Sequence, residues 1–116
     1  MIGDLADERY ISLTTFRPDG SEVSTPVWVV SDDGRRLLVW TGSQTWKVKR
    51  IRQEPHVLVA PSNFRGRERG PRVEGTARVL EGFDVKALIR KKYGLQMRAL
   101  ELVSRGEGTS VTIEIR

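Results

Sequence analysis

Two short stretches of this 116-residue chain combine residue types that could hold a ligand. In the first, the apolar run Leu37–Trp40 ends at Thr41-Gly42-Ser43, and helix-forming residues follow. Two hydroxyl residues around a glycine, at a strand-to-helix turn, aim free backbone N–H groups and the positive helix end at one point. That is the physical recipe for holding a phosphate. Lys47, one turn further on, reaches back to the same anion. The plainer reading is a helix cap at Ser43 and a solvated Lys47, and spacing alone favours it because caps far outnumber phosphate sites. In the second stretch, Ser24-Thr25-Pro26-Val27-Trp28, a proline interrupts a strand and belongs at an edge or a bulge. It could leave backbone groups of Thr25 and Val27 for a planar polar ligand, or simply guard an edge strand against aggregation.

The charge pattern converges on the first stretch. The chain carries 20 Lys+Arg against 15 Asp+Glu, a formal net charge of +5. Residues 47–72 hold eight of the cations (Lys47, Lys49, Arg50, Arg52, Arg65, Arg67, Arg69, Arg72) and only Glu54 and Glu68. The remainder is close to neutral, so the basic character belongs to one segment and points to an anionic partner. Cysteine is absent and His56 is the single histidine. Disulfide scaffolds, thiol nucleophiles, cysteine zinc sites, multi-histidine metal centres and a Ser–His–Asp hydrolase are thereby excluded or made poor candidates. His56, at a strand start after Pro55, reads as structural, and Trp28, Trp40 and Trp46 as core or interface residues. The opening residues lack the basic and apolar regions of a signal peptide, and no run approaches the ~20 apolar residues of a membrane span. A soluble, cytoplasmic chain without a membrane partner is expected.

The elements that must position these residues are mostly strands. Tyr10–Phe16 alternates as a half-buried strand, with Ile11, Leu13 and Thr15 on one face. Pro18-Asp19-Gly20 turns it into Val23–Val30, and Asp32-Asp33-Gly34 leads to a third strand at Leu37–Trp40. A helix follows from Ser43 to Gln53, stopped by Pro55. His56–Ala60 is a buried strand, residues 62–71 a mobile cover rich in arginine, and Arg72–Leu80 another alternating strand. Its mid-strand Gly75 marks a bulge or a close approach to the backbone. Phe83–Tyr93 places Val85, Leu88, Ile89 and Tyr93 on one helical face, and Gly94 can end that helix. Leu95–Val103 reads as a second short helix and Ser110–Ile115 as the last strand. One domain spanning 1–116 is expected, mainly β (α+β), a small, partly open β-barrel of about six antiparallel strands with short helices.

The order of these pieces is familiar. Tyr10–Gly20, Ser24–Val29, Leu38–Gly42, Lys47–Arg52, Pro55 and Val73–Ala77 together resemble the pyridoxamine 5′-phosphate oxidase-like split-barrel proteins. Within them the chain looks most like the actinobacterial coenzyme F420 (deazaflavin)-dependent oxidoreductases. The resemblance covers nearly the whole chain. It implies a split β-barrel homodimer of the FMN-binding type, with two cofactor sites in clefts between subunits. It also implies that Ser24, Thr25, Pro26, Val27 and Trp28 contact the ring system, that Thr41, Gly42, Ser43 and Lys47 hold the phosphate, and that Lys49 and Arg50 meet an acidic polyglutamate tail. The chain carries no counterpart of the longer C-terminal region of the pyridoxamine-oxidising enzymes.

The expected activity is hydride transfer between reduced F420 and a small organic substrate, the cofactor supplying the redox step and the protein its orientation. No catalytic side chain and no metal ligand is singled out. An FMN-binding oxidoreductase or flavin carrier shares the phosphate site and is the nearest alternative. A nucleic-acid-binding module is the alternative from another class; the chain lacks the surface aromatics and helix-turn-helix that would support it, so no nucleic-acid partner is expected.

Overall fold

A computed structural model describes residues 2–42, 45–83, 85–94 and 110–116. Its described strands form one six-stranded antiparallel sheet: β1 (Tyr10–Phe16), β2 (Glu22–Val27), β3 (Leu37–Gly42), β4 (His56–Ser62), β5 (Val73–Leu80) and β6 (Ser110–Ile115). The order across the sheet is β2-β1-β4-β5-β6-β3. The segment just after β2 meets β3, the other end strand, through the bridge Val30↔Leu38, with mutual N–H···O bonds of 3.0 and 2.8 Å. The sheet thus curls round a core without closing fully, which is a split barrel. Inside it pack Ile11, Leu13, Val39, Val57, Val59, Ile113 and Ile115, capped by Val48 and Ile51 from α1 (Trp46–Gln53). A second cluster holds Val30, Leu38 and the α2 (Lys86–Tyr93) residues Ile89 and Tyr93, joined by Val85 just before that helix.

Gly75 is a place of close approach. A Cβ there would lie 2.7 Å from Ile2 Cδ1 and 2.9 Å from Ile115 Cγ2. Ile2 belongs to a short 3₁₀ helix, Ile2–Asp7, that the sequence pattern does not announce.

Several expectations are corrected. β1 is buried on both faces rather than one, because Ser12 and Thr14 are covered as fully as Ile11 and Leu13. Their hydroxyls are matched to Glu68 (3.1 Å) and Ser24 (2.6 Å). β2 ends at Val27, not Val30. The reason is that both backbone groups of Val29 are captured by α2: its N–H donates to Tyr93 Oη at 2.9 Å, and its carbonyl accepts from Tyr93 Oη and Lys92 Nζ at 3.0 and 2.6 Å. β3 runs through Thr41 and Gly42 instead of breaking there, since these pair with Val111 and Ser110 of β6. Tertiary pairing overrides the local turn signal. Accordingly α1 starts later, at Trp46 with Thr45 as its cap residue, and α2 starts at Lys86 rather than Phe83. Ser43 and the expected helix Leu95–Val103 lie outside the described residues.

The loop at 62–71 is not the loose cover expected. It is a hydrogen-bonded turn fastened to the sheet: Asn63 N–H donates to the Arg67 carbonyl at 3.1 Å and Arg69 N–H to the Pro61 carbonyl at 2.8 Å. Among the described residues no helix is long and apolar enough to cross a membrane.

Candidate functional site

The site is built around α1. Val48 and Ile51 are spaced to point into the barrel, so the helix leaves Lys49, Arg52 and Trp46 exposed and Lys47 and Arg50 half-buried. A groove of about 700 Å³ opens beside it, lined by Arg17, Pro18, Trp46, Lys49, Arg50, Arg52 and Gln53. Four cations and no carboxylate form this wall. Among the described residues only Arg52 of these has an ionic partner, Glu81 at 3.0 Å. Arg50 is aimed by donating its Nε–H to Thr15 Oγ1 at 2.7 Å. Lys49 Nζ stands 4.5 Å above the Trp46 ring, which is 68% exposed.

Burial, and then the nearby Arg50 charge, pushes the Lys47 ammonium below the usual lysine range. Arg50 is likewise pushed down by burial and then by Arg17. Elsewhere some arginines are neutralised: Arg36 lies between Asp32 and Glu114, both at 2.5 Å, and Arg72 between Glu68 and Glu22 at 2.9 and 3.0 Å. Around α1, Lys47, Lys49 and Arg50 are gathered without such a carboxylate among the described residues, which is the electrostatic condition an anion would satisfy.

Thr41 and Gly42 end β3 immediately before this helix. Thr45 donates its hydroxyl to the Gly42 carbonyl at 3.1 Å and gives no side-chain cap to α1. The first-turn amides of α1 therefore receive nothing from Thr45. Lys47 is not on the groove wall that Lys49 and Arg50 share. The structure thus joins Lys49 and Arg50 to Arg17 and Trp46, while Lys47 sits beside them on α1.

β2 is an edge strand, as its proline requires. The freed backbone groups differ from those expected. Arg17 N–H donates to the Ser21 carbonyl at 2.9 Å, and from there the antiparallel alternation makes Thr15–Val23, Leu13–Thr25 and Ile11–Val27 the hydrogen-bonded pairs. Thr25 and Val27 are consequently occupied by β1. The outward-facing groups are the Ser24 N–H and carbonyl and the Pro26 carbonyl. Pro26 stands where an N–H would have faced outward, so it removes no ladder bond. Val27 packs on the core, and Trp28, half-buried, stacks on Tyr93 at 4.3 Å and 7°. Thr25 Oγ1 is buried, with no hydrogen-bond partner among the described residues. It lies on the same face of the β1–β2 ribbon as Thr15, the anchor of Arg50. An orphaned buried oxygen on the strand face that carries Thr15, and a cationic groove whose Arg50 is anchored on Thr15, fit a polar, anionic cofactor.

Arg17, Thr15 and Trp46 were not legible as site residues. The available signal was an aromatic at the start of an otherwise cationic helix, on the face opposite Val48 and Ile51, and an arginine at the mouth of the β1–β2 turn.

Comparison with known proteins agrees with this architecture. The family model of pyridoxamine 5′-phosphate oxidase matches residues 4–116. No curated protein matches. A solved conserved hypothetical protein from Mycobacterium tuberculosis is 20% identical, with a TM-score of 0.70 over 99% of this chain and 77% of that one. A solved F420 reductase is 20% identical, with a TM-score of 0.59 over 97% and 90% of the two chains. An FMN-binding, pyridoxamine 5′-phosphate oxidase-related protein from Nostoc punctiforme is 14% identical, with a TM-score of 0.60 over 91% and 69%. At these identities the solved structures establish the fold, and the match over nearly the whole chain establishes the family. This protein belongs to the pyridoxamine 5′-phosphate oxidase family.

Proposed function

We propose that the chain is a coenzyme F420-dependent oxidoreductase, transferring a hydride between the deazaflavin and a small organic substrate. The observation that carries this reading is the carboxylate-free cationic wall of α1. Lys47 and the first-turn backbone of α1, with Thr41, Gly42 and Ser43, hold the phosphate. Lys49 and Arg50, joined by Arg17, face the acidic tail. The β2 edge at Ser24–Trp28 lies along the ring, offering the outward groups of Ser24 and Pro26 and the unpaired Thr25 hydroxyl. When bound, the deazaflavin supplies the hydride chemistry; the chain's residues bind it, orient it and exclude water from one side.

The structural likeness to an F420 reductase supports this choice, and the likeness to an FMN-binding protein supports an FMN enzyme or flavin carrier as the second reading. The two share the phosphate contacts and differ in the tail. The breadth of the cationic groove, which extends past Lys47 to Arg17 and Arg52, favours the longer and more acidic cofactor. Titration of the purified chain with each cofactor separates them: F420 is expected to bind more tightly than FMN, and the difference is expected to shrink in Lys49→Ala and Arg50→Ala. Equal binding of both cofactors, unaffected by those substitutions, would remove the F420 assignment.

A further inference from the structure

The tip of the β4–β5 loop, residues 63–67, is a preformed presenting element. Asn63 Oδ1 accepts the Arg65 and Arg67 backbone N–H groups at 2.9 and 3.0 Å. Gly66 N–H donates to the Asn63 carbonyl at 3.0 Å, with Gly66 at φ +87°. The rest of the loop is fastened down: Glu68 accepts from Ser12, Arg69 pairs with Glu8 at 3.0 Å, and Arg72 joins Glu68 and Glu22.

The loop region's four arginines therefore divide into two kinds. Arg69 and Arg72 are anchors. Arg65 and Arg67 are exposed and meet no carboxylate among the described residues. Arg65 lies 5.3 Å over the ring of Phe64, which is itself 63% exposed. Beyond the contact of Arg65 with Phe64, no ion pair or side-chain hydrogen bond ties these three exposed side chains to the rest of the described residues.

Their position is informative. A Cβ on Gly66 would fall 3.2 Å from Pro26 Cδ, so the tip rests on the β2 edge, beside the outward-facing Pro26 carbonyl. Ser12, which binds Glu68 of the same loop, is the register partner of Pro26.

We propose that Phe64, Arg65 and Arg67 form the recognition site for the substrate, and that this substrate is a small planar organic anion. Its ring lies on Phe64 and its acidic group between the two guanidinium groups. This assignment rests on the reading of β2 as the ring-side strand. One aromatic side chain is too little apolar surface to hold a membrane, which favours a small molecule over a lipid surface.

The test is calorimetric titration of the chain, with and without bound cofactor, using naphthoquinone sulfonate and the uncharged naphthoquinone. The sulfonate is expected to bind about tenfold more tightly. Arg65→Ala/Arg67→Ala is expected to abolish that preference while leaving the neutral quinone unchanged, and Phe64→Ala to weaken both. Arg35→Ala/Lys91→Ala, which removes the same charge from exposed positions elsewhere, is expected to keep the preference. A preference that survives the tip double variant, or that the control loses equally, overturns the proposal. So does a tip whose substitution changes only attachment to phosphatidylglycerol vesicles. Normal cofactor binding with no sulfonate preference overturns the tip assignment alone. Absent cofactor binding with the preference intact overturns the cofactor reading alone.

Discussion

Lys47 is held in an environment that suits a ligand better than it suits the apo fold. Its ammonium is half-buried, near Arg50, without a carboxylate partner among the described residues. Replacing it with methionine is therefore expected to raise unfolding stability by about 0.5–1 kcal/mol, read from the thermal midpoint, while weakening phosphate binding. Lys47→Ala is expected to cost ~1.5–3 kcal/mol of cofactor affinity through the lost charge-assisted contact. The pH dependence has a definite sign. The lysine is charged below its depressed pKa, so affinity is expected to fall as pH rises from neutrality toward the ordinary lysine range. In Lys47→Arg it is expected to stay flat over that interval. A pH-independent dissociation constant in the unsubstituted protein would speak against Lys47 as the phosphate ligand. Residue type and spacing made Lys47 a candidate, and the family resemblance, not spacing, brought in Lys49 and Arg50. Arg17 was not selected, because only the β1–β2 hairpin brings it to the helix.

The strands were legible because residue types alternate along β1, β5 and β6, although only in β5 does burial follow that alternation, β1 and β6 being covered on both faces. What escaped was whatever another element decided. Thr41 and Gly42 read as a break, yet β6 pairs with both. Trp28-Val29 read as strand, yet α2 claims the Val29 backbone. Tyr93 is central to that claim: burial pushes its hydroxyl up to about 12, and it links Val29 to the Arg9 carbonyl at 2.8 Å. Tyr93→Phe would leave the Val29 N–H buried without its acceptor, an expected loss of ~1–3 kcal/mol. A urea midpoint unchanged from the parent would contradict it. Of the two readings of Gly75, a bulge or a close approach, the structure shows the second. Gly75→Ala is expected to destabilise by about 1–3 kcal/mol through overpacking against Ile2 and Ile115, measurable by the same denaturation. A neutral effect would mean that the 3₁₀ helix simply moves aside.

For the whole molecule, the split barrel ends in two edge strands, and β2, one of them, carries the proposed ring-side groups. An edge strand with outward-facing backbone, and the exposed Trp46 on α1, invite a second copy. We expect a dimer with the sites between subunits. Light scattering should give twice the 13.2 kDa chain mass at micromolar concentration, and the bare chain mass would contradict the arrangement. The net charge of +5 also acquires a location: its cations concentrate on α1 and the β4–β5 loop, flanking two parts of one proposed site. Composition could announce that concentration, but only the fold separates the paired arginines from the unpaired ones. The most direct measurement is anaerobic titration of the purified protein with F420 and with FMN, repeated on Lys47→Ala. F420 is expected to bind with a micromolar or tighter dissociation constant, more tightly than FMN, and with a marked loss in the variant. Saturable binding of neither cofactor, or F420 binding that Lys47→Ala leaves intact, would contradict the proposed site.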